Sequence, residues 1–229
     1  MELVSNGFIQ VGLCPDRGGR IYSLSVLGGV DRFYHPPDPN TPSGWKNWGG
    51  DFLWVSPQSA WGWPPPNEWE VTPWTMLPDD DGVRMISGLY RGTRLQRHIN
   101  FDNTYSIKVT NTLQSVSEAS DWGLWNITQL PVDGVAVSAA RDGEFHFFDF
   151  LPKVGWYGPR GLITVEYSDG IKLIKQFYPQ PCDADYPHGG NVEFYCTKQY
   201  QEAEICWSRV HLGLGESVSV VQRFILELP

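Results

Sequence analysis

In the run NVEFYC, Glu193 alternates with Val192 and Phe194, so a strand there sends its carboxylate to the face opposite the two apolar side chains. A carboxylate so placed is either solvated or a base lining a cavity. His98, in TRLQRHINF, shares a strand face with Gln96 and Arg94, and His188 lies in the turn YPHGGN just before Glu193. Histidine titrates near neutrality and is a common proton-transfer partner of a carboxylate, which makes these two the candidate acids. His35, His211 and His146, the last in the aromatic run FHFFDF, read as structural. Lys153, in LPKVGWYG, is a loop lysine placed to reach a cleft as acid or hydroxyl donor, and carboxylates beside it would keep it charged. Glu202 and Glu204 in QEAEICW share a second strand face and read as solvated, as do Glu68 and Glu70 around Trp69.

The second feature is a ligand surface. Seven of the eleven tryptophans fall between Trp45 and Trp74, in GWKNWGGDFLWVSPQSAWGWPPPNEWEVTPW. Tryptophan is the largest apolar side chain and keeps one N–H to satisfy, so such a cluster is a core corner or a stacking surface for a ring. Prolines fix φ and remove donors, and Gly49-Gly50 permits close backbone approach, so an ordered, irregular loop is expected at about residues 36–78. Trp48, Trp54, Trp61 and Trp63 are the candidate walls, with Asp51 and Gln58 as polar groups among them. Aromatic faces with a few convergent polar groups make a sugar site. Arg20, which closes CPDRGGR before an alternating run, would project its planar fork into the same cleft; the plainer reading is a surface ion pair.

The elements that hold these groups read as strands. Asn6–Val11, Arg20–Val26, Val83–Tyr90, Thr104–Leu113, Glu144–Phe150, Ile171–Tyr178, Asn191–Cys196 and Ser217–Leu228 alternate or run apolar, and no window gives a capped amphipathic helix. With 24 glycines and 18 prolines for turns, including a hairpin around Gly92, the chain reads as one all-β sandwich or barrel over residues 1–229. A net charge of −9 argues against nucleic acid and anionic lipid as partners and leaves a small molecule. The N-terminus lacks a basic stretch and an apolar run, so a cytoplasmic protein is expected. Cys14, Cys182, Cys196 and Cys206 show neither C-x-x-C nor zinc-type spacing, so free thiols are expected, with no metal and no cofactor.

Four segments carry a resemblance: GGRIYSL, GWKNWGGDFLWVSPQSAWGWPPP, WNITQL at Trp125–Leu130 and the terminal LGLGESVSVVQRFIL. Together they resemble a domain family related to galactose mutarotase, the aldose 1-epimerase-like proteins, over almost the whole chain. The resemblance implies a β-supersandwich of two large antiparallel sheets with a carbohydrate site on a concave face. Mutarotation needs a base for the anomeric hydroxyl and an acid for the ring oxygen. The family's glutamate carries over to Glu193 in GGNVEFYC, and the segment of its histidine carries over to WNITQL, which adds Trp125 and Gln129 to the site. Trp125 stands at the histidine's place and cannot shuttle a proton, so the acid would be His98, His188 or Lys153. The functions implied are an epimerase-type isomerase, a lyase or cyclase on another cyclic substrate, or a non-catalytic carbohydrate-binding module.

Overall fold

The computed structural model describes residues 1–141, 144–147 and 153–229, and side chains from 140 to 152 are left undescribed. Nearly all of its regular structure is strand, arranged in two antiparallel sheets. Numbered in chain order, the first sheet runs β1 (Glu2–Ser5), β2 (Ile9–Cys14), β3 (Arg20–Val26), β4 (Asp51–Ser56), β9 (Ser120–Pro131), β16 (Tyr200–Cys206), β15 (Val192–Cys196) and β12 (Lys153–Trp156). A short β17 (Val210–Leu212) pairs with the start of β9. The second sheet runs β11 (Glu144–Phe147), β10 (Val135–Arg141), β13 (Leu162–Tyr167), β14 (Lys172–Phe177), β18 (Ser217–Glu227), β8 (Ser106–Ser115), β7 (Thr93–Asn103), β6 (Gly82–Ile86) and β5 (Thr75–Asp79). The one α-helix among the described residues is a single turn, α1 (Asn67–Glu70).

Alternation along the strands decides what each face of the first sheet carries. Register places Trp54 opposite Trp125, Ile127 opposite Glu204, Gln129 opposite Glu202, and Glu193 opposite Glu204. These residues therefore share the outer face. Asn126, Thr128, Ala203, Val192 and Phe194 point the other way, into the space between the sheets. There they meet the apolar core of both sheets, including Ile99, Val109, Ile163, Val165, Leu173 and Phe224.

The expected strands are found with shifted ends; β7 and β16 were read only as strand faces around His98 and around Glu202 and Glu204, without bounds, and others were missed, among them β9. The central strands β9 and β4 are buried on both faces, which removes the period-two signal that sequence reading depends on. The run 51–56, expected inside an irregular loop, is β4 and is fully buried. Gly49 and Gly50 lead into it with φ of 73° and 74°, and a Cβ on Gly50 would meet the Ile21 carbonyl at 2.8 Å. Only glycine lets the loop turn that close to the sheet. Of the expected strand 144–150, residues 148–150 lie outside the described residues, as does the side chain of His146.

Between the sheets sits a buried polar clamp. Arg97 of β7 pairs with Asp51, whose carboxylate also accepts from Asn126 at 3.0 and 3.1 Å and from Thr128 at 2.7 Å. Lys175 of β14 donates to Asn126 Oδ1 at 2.9 Å and to the Ala203 carbonyl at 2.7 Å. Burial lowers the Lys175 ammonium to about 8, against the raising pull of Asp51 and Glu204. Charged groups from both sheets thus satisfy one another inside the core, which is the condition for burying them at all.

Candidate active site in an aromatic cavity

The outer face of the first sheet is partly covered by the Trp-rich segment, and between them lies a cavity of about 410 Å³. Its aromatic walls are Trp45, Trp54, Trp63, Trp125, Tyr195 and Tyr200. Its polar groups are Thr41, Gln58, Lys153 and Glu202. Trp63, 46 % exposed, stands at the rim, whereas Trp45 and Trp54 are buried. The rings pack edge to face: Trp45 against Trp54 at 6.3 Å, Trp45 against Trp63 at 5.2 Å, and Trp54 against Trp125 at 5.5 Å.

The wall is held from behind by Glu70. Its carboxylate pairs with the fully buried Arg20 and accepts the indole N–H of Trp45 at 3.0 Å and of Trp54 at 2.9 Å. Arg20 in turn donates to the Gly49 carbonyl at 2.9 Å and lies over the Phe52 ring at 4.1 Å. This corrects two expectations. Arg20 does not reach the cavity, because Glu70 takes its guanidinium, and Glu70 is not solvated, because α1 turns it inward beneath the tryptophans.

At the other end of the cavity is an ionic cluster built by β12, β15, β16 and the turn before β15. Lys153 Nζ is 3.1 Å from Glu193 Oε2, 3.2 Å from Glu204 Oε2 and 4.8 Å from the Trp125 ring centre. Trp125 donates its N–H to Glu204 Oε2 at 2.6 Å. His188 Nδ1 is 3.0 Å from Glu193 Oε2, and its Nε2 is 3.4 Å from the Gln58 backbone N–H. A proton on Nδ1 and a lone pair on Nε2 satisfy both contacts. His188, Glu193, Lys153 and Gln58 also line an adjoining cavity of about 260 Å³. Lys153 and Gln58 therefore stand where the two spaces meet.

Burial would raise the Glu193 carboxyl, but the His188 hydrogen bond and the Lys153 ammonium outweigh it and hold it at about 2. Glu204, fully buried, is pushed well above the usual carboxylate range by burial, against the pull of Lys153. Burial likewise pushes Glu202 up to about 7, against the lowering effects of the Gln129 amide and Lys153. Lys153 is raised, because Glu204 and Glu193 overcome the lowering effect of its own burial. Three carboxyl groups on one face thus have widely separated affinities for protons, and the one near neutrality lines the larger cavity. Gln129 fixes Glu202 Oε1 at 2.8 Å.

His188 Nδ1, Glu193 Oε2 and Cys206 Sγ lie within 4.8 Å of one another, a donor set suited to a transition metal. The Lys153 ammonium already takes the same Glu193 oxygen, so the cluster carries its own cation and does not fit a metal.

The structure brings Glu193, His188 and Lys153 together, with Trp54, Gln58, Trp63 and Trp125 on the adjoining wall. Other expected residues fall elsewhere. His98 lies on the second sheet beside Asp81 at 3.1 Å, far in the topology from β15. Asp51 faces the core as the centre of the Arg97 clamp. Trp48 stacks under Arg17 at 4.5 Å, and Trp61 spends its N–H on the Val55 carbonyl at 2.9 Å, so neither lines the cavity. Gln129 is fully buried and acts through Glu202. Glu202 and Glu204, expected in solvent, are the acids that were misplaced. Their spacing on one strand face was visible, but the depth of that strand in the sheet was not.

No family model and no curated protein matches the sequence. Solved structures do match the fold. An Escherichia coli K12 protein provisionally assigned as an aldose 1-epimerase superposes with a TM-score of 0.65 at 14 % identity, over 99 % of this chain and 98 % of that one. The GalM/aldose epimerase homologue of C. elegans gives a TM-score of 0.60 at 10 % identity, over 98 % and 97 %. A TPR-domain containing protein of Parabacteroides distasonis gives 0.67 at 15 % identity, covering 99 % of this chain and 47 % of that one. The chain has the galactose mutarotase-like β-sandwich fold. At these identities the likeness extends to architecture alone.

Proposed function

We propose that the chain is a carbohydrate-active protein that binds a cyclic sugar in the aromatic cavity and isomerises it by proton transfer, as the aldose epimerase-like fold suggests. One observation supports this above the others: a carboxyl poised at about 7, Glu202, and an ammonium, Lys153, line the same cavity. A general base works best when its proton affinity lies near the operating pH. Glu202 takes the proton of the anomeric hydroxyl as the bond between C1 and the ring oxygen breaks, and Lys153 gives that oxygen a proton; after rotation about C1–C2 both protons return and the ring recloses as the other anomer. Glu193, expected to be the base, is too weak a base at about 2; with His188 it anchors Lys153 in place.

A second reading, a non-catalytic carbohydrate-binding module, draws on the same ions. Glu193 and Lys153 are both locked in their charged forms, which suits binding as well as chemistry. Exchange between anomers, followed by NMR across a sugar panel and set beside calorimetric binding, separates the two. Exchange above the spontaneous rate supports the isomerase, and binding without exchange supports the module.

A further inference from the structure

The aromatic cavity carries a bias that a site for neutral sugars does not need. Four indole rings line it, and three of their N–H donors are turned away onto glutamate side chains. Trp45 and Trp54 donate to Glu70 at 3.0 and 2.9 Å, and Trp125 donates to Glu204 at 2.6 Å. Those rings therefore present π faces and C–H edges to the cavity and no donors.

The charges at the wall point the same way. Among the described residues Lys153 is the one cation lining the cavity, and Glu193 neutralises it at 3.1 Å. Its ammonium lies 4.8 Å from the Trp125 ring centre, the geometry of an ammonium held by one of these rings. Glu202 adds a carboxyl: Gln129 takes Oε1, and among the described residues no side chain takes Oε2. Thr41, Gln58, Tyr195 and Tyr200 are the other polar residues that line it. The aromatic part of the wall thus offers a ligand π faces rather than donors, and a π face attracts a cation more strongly than a neutral group of the same shape.

We propose that the ligand of this cavity carries an ammonium group, and that the sugar it accepts is an amino sugar, its cation held over the Trp45, Trp54 and Trp63 rings and its hydroxyls facing Gln58, Tyr195, Tyr200 and Glu202. The assignment rests on the sugar-binding reading above and narrows it. Desolvated cation–π contacts of this kind contribute enough for an affinity preference of about 10–30-fold over a neutral isostere.

Two matched pairs of probes test it by calorimetry at pH 6.5, where the amine is charged: glucosamine against glucose, and choline against its neutral isostere 3,3-dimethylbutan-1-ol. The cationic member of each pair should bind at least about 10-fold tighter. Trp63→Leu, at a rim position with little role in the core, should shrink both preferences while its thermal unfolding stays that of the wild type. Equal or tighter binding of the neutral member in either pair overturns the proposal. Glucose binding as well as glucosamine overturns the amino-sugar assignment and leaves the sugar site standing. Choline bound tightly with no sugar bound at all removes the sugar reading and the amino-sugar assignment with it.

Discussion

Arg20 and Glu70, fifty positions apart, form a buried ion pair whose carboxylate also receives the indole N–H of Trp45 and Trp54. Two of the cavity's rings are thereby fixed to β3 through a single side chain. A binding wall held this way loses little freedom when a ligand arrives, which is the physical basis of preorganisation.

Removing that carboxylate leaves a fully buried guanidinium without its counter-ion. Glu70→Ala should therefore destabilise the fold by roughly 3–5 kcal/mol, the usual range for breaking a buried pair from one side. Chemical denaturation measures it. The milder Glu70→Gln keeps hydrogen bonding and should lose less stability, while weakening ligand affinity as the two rings loosen. Unchanged stability in Glu70→Ala would mean that the pair does not hold the wall.

The polar clamp between the sheets makes a similar prediction with a different readout. Asp51→Ala leaves Arg97 without its counter-ion, Thr128 without its acceptor and Asn126 with the Phe52 carbonyl alone, so a loss of roughly 3–5 kcal/mol is expected from equilibrium unfolding. Ligand affinity in the surviving folded fraction should be close to wild type, because Asp51 faces the core.

Trp63→Ala separates binding from folding. The side chain is 46 % exposed at the rim, so its removal should cost stability about 1 kcal/mol or less while weakening sugar affinity through lost stacking area. Trp54→Ala would not serve, because Trp54 is 3 % exposed and its truncation should cost roughly 3–5 kcal/mol of stability. Calorimetry together with thermal melts distinguishes the two variants.

Glu202 ties stability to pH in a direction opposite to Glu193. Its folded carboxyl, at about 7 against an ordinary 4.5, binds its proton more tightly than in the unfolded chain. Its contribution is complete below pH 4.5 and is lost as pH rises through 7. The groups that bear on it are Lys153 and Arg20, which lower it, and Glu193, which raises it. Glu193, at about 2, contributes stability present above pH 4.5 and lost as pH falls towards 2. Glu202→Gln should accordingly melt higher than wild type at pH 8, by roughly 2–4 °C for each kcal/mol regained, and show no such gain at pH 4. A variant that melts identically at both values would show that Glu202 is not held near neutrality.

Much of the fold was legible from period-two runs and turn residues, because surface and half-buried strands such as β8 and β18 alternate along their length. Strands buried on both faces were not legible: β4 reads as part of a Trp-rich loop because its polar Asp51 and Ser56 look like loop residues, and only the neighbouring strands show that they are satisfied in the core. Within the candidate site, the Trp-rich segment, Glu193, His188 and Lys153 were singled out from residue type, and the structure places them side by side. What escaped was pairing over long distances. That Arg20 meets Glu70, that Asp51 meets Arg97, and that Glu202 lines the cavity all depend on which strands become neighbours, and spacing along one strand does not encode that.

The measurement that bears most directly on the proposed function is anomer exchange by NMR, run on wild type and on Glu202→Gln with a panel that includes amino sugars. Wild type should exchange at least one sugar above the spontaneous rate, with kcat/KM rising as pH passes about 7. Glu202→Gln should lose about 10²–10⁴-fold in turnover with a much smaller change in affinity. Full turnover in Glu202→Gln, or a wild type that binds sugars and never exchanges their anomers, would contradict it.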